Sequence, residues 1–200
     1  MCSAGDVIAS EGRVIAPAPG TFYSWNRAHF GAWCVVSSPL ILGMELSDEV
    51  LTPVLDIIGN TEAVAVNQAW DGMPGMLVKA YPPPMIPDGL GGVLASTAPD
   101  SGGSAKPPAP PPAPVVQLWA KRLGGGAMAV LLINASPTPL AAGAISIPLQ
   151  DLNMTHGSAV TVRDIWSRTD WGGRGIQGRL VFPALLQFDS TFLRLDPQRR

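Results

Sequence analysis

The sequence predicts a mixed fold, one helix–strand–helix repeat of a β/α architecture followed by an all-β antiparallel region. Three observations carry this. From Phe22 apolar residues recur at helical steps; Leu40-Ile41-Leu42-Gly43 is a continuous apolar run bounded by Pro39 and Gly43; after Trp70 the pattern turns short and often alternating, broken by Gly, Pro and Asn.

Residues 1–21, rich in Gly, Ala and Pro without periodicity, read as a loosely ordered lead-in. Trp25, Phe30, Trp33 and Val36, with Ser24 available as N-cap, predict a mostly buried helix over 25–36 that Pro39 closes. The run at 40–43 fits a strand buried on both faces, which implies a parallel sheet. Thr52 before Pro53 reads as an N-cap with proline at the first helical position. Val54, Leu55, Ile57 and Ile58 then give the apolar face, and Gly59-Asn60 the end of that helix. One such repeat neither closes a barrel nor makes a sheet, because a lone parallel strand lacks partners for its backbone groups.

Residues 76–80, 115–123, 128–134, 144–148, 160–166, 179–183 and 191–195 read as strands. Short strands at roughly 8–12-residue spacing without helices between them describe an antiparallel sandwich or barrel. Gly124-Gly125-Gly126 joins two of them as a hairpin turn; it opens no helix, so it assembles no phosphate cradle. Residues 96–114, ending in six prolines over the eight positions 107–114, read as a disordered surface insertion. A polyproline ligand would want basic flanks, and Lys106 is the only one.

Composition excludes several functions. Net charge is −2 and the basic residues are scattered, so no polyanion footprint exists and nucleic acid is not an expected partner. The longest apolar stretches, such as 127–133, fall short of the roughly 20 residues of a bilayer-spanning helix, and no signal peptide is visible at Met1. A soluble chain without membrane partner is expected, its compartment undecided. Cys2 and Cys34 make neither a disulfide framework nor a paired-Cys zinc site, and His29 and His156 are far apart in sequence. Neither metal nor cofactor is expected. His29 falls inside the apolar helix and His156 in a polar turn, so no Ser-His-Asp triad is assembled. Asn134-Ala135-Ser136 and Asn153-Met154-Thr155 match the glycosylation acceptor pattern, the first hindered by Pro137.

Four stretches carry a family resemblance: Ala28-His29-Phe30-Gly31-Ala32-Trp33-Cys34-Val35-Val36-Ser37-Ser38-Pro39-Leu40-Ile41-Leu42-Gly43; Asn60-Thr61-Glu62-Ala63-Val64-Ala65-Val66-Asn67-Gln68; Gln117-Leu118-Trp119-Ala120-Lys121-Arg122-Leu123 with Ala129-Val130-Leu131-Leu132-Ile133-Asn134; and Val162-Arg163-Asp164-Ile165-Trp166. In this order they resemble the C-terminal portion of melibiase-type α-galactosidases, glycoside hydrolase family 27. The resemblance spans about residues 25–195. It implies an incomplete remnant of a (β/α)8 TIM barrel, its last helix, strand and helix, followed by an antiparallel β-sandwich. The implied organisation is a lead-in at 1–21, a barrel remnant at 22–72 and a sandwich domain at 73–200 carrying the insertion at 96–114.

The resemblance further implies that intact relatives cleave terminal α-galactosyl residues by a retaining mechanism without cofactor. That chemistry needs two carboxyl groups roughly 5–5.5 Å apart. In the family both are aspartates on earlier barrel strands, in Tyr-Asp and Ser-Asp-Asp motifs, and neither motif occurs in this sequence. The Trp-Asn-Asp-Pro-Asp substrate loop is also missing, Trp25-Asn26-Arg27 lacking its aspartates. Glu45 stands where the family usually has aspartate, and Ala69 follows Asn67-Gln68 in place of the common aspartate. No catalytic, cofactor-binding or metal residue is therefore assigned.

Glu45 is the best local acid, yet with Asp48 and Glu49 it reads as a solvated acidic turn. Asp164 reads as held by Arg163 or by backbone donors at a strand end. Trp25 and Trp33 suit a sugar-stacking platform chemically, while their helical setting favours core packing. The leading expectation is an inactive C-terminal fragment from a truncated gene product or fragmentary gene model, with carbohydrate the partner of the intact enzyme. The alternative is a non-catalytic sandwich module that binds glycan or a protein partner, with self-association through the barrel-remnant surface. An unrelated two-layer structural protein would need the motif order to be coincidental.

Overall fold

The computed structural model describes residues 21–81, 115–154, 159–171 and 175–198, and the backbone alone at 7–8 and 14–15. Strands β1 (Val7–Ile8) and β2 (Val14–Ile15) form a small antiparallel ladder. Helix α1 (Thr21–Val35) begins earlier than the periodicity suggests, and Ser24, expected as its N-cap, is buried inside it. Its end is marked by Ser37 in the left-handed region (φ 57°), with Ser38 N donating to Trp33 O at 3.1 Å. That is the usual way to satisfy the last carbonyls of a helix.

The strand expected at 40–43 does not form. Residues 39–46 carry no regular structure, and Ile41 is 68% exposed. The reason is the one the sequence itself supplies: an apolar run becomes a strand only where a neighbour accepts and donates its backbone hydrogen bonds. The following helix also differs. It starts at α2 (Asp48–Leu51) behind Ser47, tightens into a 3₁₀ turn (Thr52–Val54) and resumes as α3 (Leu55–Ile58). Pro53 has no N–H to give, so it deforms a helix already begun instead of opening one. Val54 and Ile57 are buried as expected, whereas Leu55 is exposed.

Gly59 donates to Leu55 O at 2.8 Å and closes α3, but Asn60 belongs to the next element. It caps α4 (Thr61–Gln68), its Oδ1 accepting from Glu62 N and Ala63 N at 3.0 Å each. Eight residues with apolar positions interrupted by Thr, Glu and Asn leave no stripe long enough for periodicity to mark.

The strands follow the sequence reading closely. They are β3 (Met76–Tyr81), β4 (Val116–Gly124), β5 (Ala127–Asn134), β6 (Ser146–Pro148), β7 (Val160–Asp164), β8 (Thr169–Asp170), β9 (Arg179–Val181) and β10 (Ser190–Pro197). The short β8 had no sequence signal, and neither had β1 and β2, which pair within the stretch read as a loosely ordered lead-in. A six-stranded antiparallel sheet runs β3-β4-β5-β10-β7-β8, and β6-β9 forms a second, two-stranded layer. Gly124, Gly125 and Gly126 all have positive φ and make the β4–β5 turn, as their sequence setting implies.

Side-chain alternation divides the large sheet into two buried faces. Leu118, Val130, Leu132, Leu193, Leu195 and Val162 face the β6–β9 layer, where Ile147, Leu149, Leu152, Leu180 and Phe182 complete one core. On the other face Trp119, Leu131, Phe192 and Ile165 form a floor beneath Cys34 and Val35 of α1 and Ala63 and Val66 of α4. Trp119 registers with Leu131, and Leu131 with Phe192, so this floor is a continuous cross-strand row. Helix α1 lies so near it that a Cβ at Gly31 would sit 3.0 Å from Leu131 and 3.1 Å from Trp166. The fold is thus a sandwich whose larger sheet is covered on its outer face by a helical layer.

Candidate functional site

Among the described residues, several side-chain hydrogen bonds and ion pairs join the helical layer to the sheet. Asn60 Nδ2 donates to Ile165 O at 2.8 Å, so the residue that caps α4 also ties it to the end of β7. Arg163 of β7 reaches Glu62 in a fork, Nη2 to Oε1 at 2.7 Å and Nε to Oε2 at 3.1 Å, and takes Asp170 at 3.3 Å with Nη1. On the far side Arg27 of α1 grips Asp189 with Nη2 at 2.7 and 2.8 Å and Nε at 3.1 Å, its guanidinium lying near the Trp166 and Tyr23 rings. Arg122 pairs with Asp71 at 2.9 Å. Tyr23 OH donates to Asp56 Oδ2, binding α1 to α3.

Between α4 and the sheet lies an open groove of about 490 Å³, with Ala65, Ala69, Leu123 and Ile165 as its apolar part and Glu62, Arg163, Asp170, Arg194 and Asp196 as its charged part. Glu62 and Asp170 both contact Arg163, so one guanidinium joins two carboxylates in this groove. The arrangement is wrong for glycoside chemistry. A general acid must hold its proton near neutral pH, which requires a raised pKa. The Arg163 hydrogen bonds instead hold the Glu62 carboxyl below the ordinary carboxylate range, and Glu62 and Asp170 together push the Arg163 guanidinium up. The groove is a place of settled ion pairs.

A pH dependence follows. Because Glu62 titrates lower in the folded chain, the unfolded chain binds more protons as pH falls below its own value near ~4.3. The pair's contribution is present above that pH and lost as pH falls through the folded value. Urea midpoints measured from about pH 7 down to about pH 3 should fall at the acid end, and Arg163→Gln should flatten the part of the fall due to Glu62. An unchanged profile in that variant would contradict the assignment.

The residues singled out in the sequence disperse. Glu45 is exposed, as are Asp48 and Glu49 in the first turn of α2, and none makes a salt bridge among the described residues. Asp164 Oδ1 accepts from Ser167 N at 3.1 Å, the backbone donor at a strand end, while Arg163 is engaged elsewhere. Trp33 is half-buried, edge-on to His29 at 5.4 Å; Trp25, expected to pack, is exposed. They form no shared platform in the contacts seen. His156 and the insertion at 96–114 lie outside the described residues, as does Thr155 after Asn153. Asn134 is fully buried, its Nδ2 donating to Thr138 O and Leu186 O at 2.9 Å each, so the folded chain gives a glycosyl carrier no access to it.

Sequence reasoning missed Lys121, which lies within the Gln117–Leu123 stretch. It is 1% exposed on β4, its Nζ donating to Val66 O at 2.5 Å and Asn67 O at 3.1 Å. Burial pushes its ammonium down in pKa, and burial likewise pushes the nearby Cys34 thiol up to about 12. The signal was available: a lysine in an alternating strand at a position whose neighbours, Trp119 and Leu123, belong to the apolar floor. In a Cys2→Ser chain, iodoacetamide should label Cys34 at least about 100-fold more slowly in native buffer than in urea, since the thiolate is the nucleophile and the site must open first. Equal rates would contradict its burial.

Comparison with known proteins places this architecture. The domain described as "Alpha galactosidase C-terminal beta sandwich domain" matches residues 114–184. The Dictyostelium discoideum protein named "Probable alpha-galactosidase" is 28% identical over 145 residues, 72% of this chain and 29% of its own length. An α-galactosidase of Coffea arabica is 24% identical over 172 residues, 86% of this chain and 35% of its own length. Among solved structures, a GH27 β-L-arabinopyranosidase from Geobacillus stearothermophilus superimposes with a TM-score of 0.62 at 20% identity, over 96% of this chain and 35% of that one. The α-galactosidase from Saccharomyces cerevisiae with raffinose gives 0.58 at 18% identity, over 88% of this chain and 44% of that one. The chain spans about a third of the length of the curated relatives it matches.

Proposed function

We propose, from the match of residues 114–184 to the α-galactosidase C-terminal sandwich and from the likeness of fold, that the chain serves a retaining α-galactosyl hydrolase of family 27 as the part that docks and supports the catalytic barrel, without itself cleaving a glycoside. Residues 22–72 are on this reading the end of the barrel and 73–200 the sandwich. One observation carries it. The charged groups that meet across the layers are spent on docking: Glu62, Asp71 and Asp189 each face an arginine, and the one acid on the loop after residue 43, Glu45, stands exposed. A retaining site needs two such groups opposed across a sugar bond.

The placement of exposed apolar side chains supports the same reading. Among the described residues they gather before the sheet's buried strands, in residues 23–78, with Leu46 at 69% and Trp70 at 65%; beyond them only Val181 and Leu186 are comparably open. Exposed apolar side chains in this number suit a surface that a partner covers. In a family 27 enzyme that partner is the rest of the barrel, and the substrate a terminal α-galactoside bound there. The sugar is left to the barrel, since solved relatives of this fold include both a galactosidase and an arabinopyranosidase.

The direct experiment is hydrolysis of an aryl α-galactoside by the purified 200-residue chain. No turnover above a mock preparation is expected, and turnover that survives Glu45→Gln would refute the docking role. Transcript sequence upstream of Met1 should carry the two aspartate motifs in frame. Its absence there would favour the second reading, a free-standing module that binds glycan or a protein partner. Light scattering adds to the choice: a monodisperse monomer retained on a glycan array supports the module, and self-association supports an uncovered barrel face.

A further inference from the structure

We infer that Lys121 is a positioning residue: from the sheet it holds the C-terminal end of α4, and through Asn67 it fixes the turn that ends α1 and releases the chain toward Glu45. The inference rests on the family 27 reading only for what that released chain leads to, a loop that in an intact barrel would follow a strand.

A lysine on the covered face of a sheet is costly unless its charge is met. Positions around it on the same face are apolar, Trp119 and Leu123 along the strand and Ala129 and Leu131 across it, and an apolar residue there would suffice if filling space were the only need. The Nζ instead reaches the carbonyls of Val66 and Asn67. These lie in the last turn of α4, where carbonyls lack helical partners and the helix dipole is negative, so a cation is the fitting occupant. The group facing it from α1 is the neutral thiol of Cys34.

The second link begins at the residue Lys121 holds. Asn67 Nδ2 donates to Ser38 O at 2.9 Å and Trp33 O at 3.2 Å, and its Oδ1 accepts from Gln68 Nε2 at 2.8 Å. The two carbonyls flank Ser37, the left-handed residue that turns the chain out of α1. Gly75 N adds a bond to Val35 O at 2.9 Å on the same turn. A Cβ at Gly75 would come within 2.5 Å of that oxygen, so the approach is open to glycine alone. One line of contacts therefore runs from β4 through α4 to residues 33–38, and from there the chain continues to Glu45.

Amide hydrogen exchange on the whole chain tests this. The amides of Val36, Ser38 and Ala69 bond to Ala32 O, Trp33 O and Ala65 O, and report the ends of α1 and α4. Lys121→Met, which keeps the volume and removes the donor, should speed exchange at all three by about tenfold or more relative to the Leu131 and Phe192 amides of the sheet. Asn67→Ala should speed Val36 and Ser38 and leave Ala69 protected, because Lys121 still holds α4. An equal acceleration everywhere, or none at Val36 and Ser38, overturns the inference. Should Lys121→Met not fold, Lys121→Gln, which keeps a donor on a shorter side chain, decides it at the same amides: acceleration confined to Val36, Ser38 and Ala69 supports the inference, and a uniform acceleration or none overturns it. Catalysis plays no part in this readout, so its failure removes the positioning role and leaves the galactosidase reading to the hydrolysis assay.

Discussion

Replacing Phe192 by alanine is expected to destabilise the chain by about 3–5 kcal/mol, the range for deleting a buried aromatic ring. Phe192 is fully buried in the floor on which helices α1 and α4 rest, registered with Leu131 and 5.4 Å from the Trp166 ring. The cost should lie toward the upper end, because the site cannot readily collapse. Helix α1 already approaches through Gly31, and its neighbours Leu131 and Trp166 are held, the latter by its indole N–H on Ser190 Oγ at 3.2 Å. Urea denaturation of the variant measures the loss. A loss below about 1 kcal/mol would mean that the helical layer is only loosely seated.

Replacing Asp189 by alanine is expected to cost about 3 kcal/mol, since removing one partner of a largely buried pair leaves the other charge uncompensated. The carboxylate takes the Arg27 fork and also the backbone N–H of Ser190 at 2.7 Å. Without it, Arg27 remains between the Tyr23 and Trp166 rings with no counter-charge in contact, and the Ser190 amide loses its acceptor. The double variant Arg27→Met with Asp189→Leu should recover part of the loss, because a pair of apolar residues leaves no stranded charge. Additive losses in the double variant would show that the pair is not the source of the cost.

How far the sequence could be read follows from where each signal resides. Strand alternation is local and survives in β4, β5, β7, β9 and β10, whose expected and observed ranges overlap closely, and the three glycines at 124–126 name their own turn. What failed depended on a neighbour. Leu40-Ile41-Leu42 looks like a buried strand, but a strand needs a ladder partner that the described residues do not offer it. Thr52-Pro53 looks like a helix start, yet Ser47 and Asp48 had begun the helix. Asn60 looks like a stop and is a cap, because the short helix after it is defined by its docking on Ile165 and not by its own pattern.

The candidate site was less legible for the same reason. Arg163 with Glu62, Arg27 with Asp189 and Lys121 with the end of α4 join residues far apart in sequence, and each looks like an ordinary surface charge until the fold brings its partner near. The acids the sequence did mark behave as their local setting suggested, Asp164 taking a backbone donor at the end of β7 and Glu45 standing exposed.

Helices α1 and α4 are seated on the large sheet as one cooperative unit. Amide signals of Val66 in α4 and Leu131 in β5, followed by NMR through a single urea titration, measure that directly. One shared midpoint is the expected result; loss of the Val66 signal at clearly lower urea, with Leu131 still protected, would contradict it.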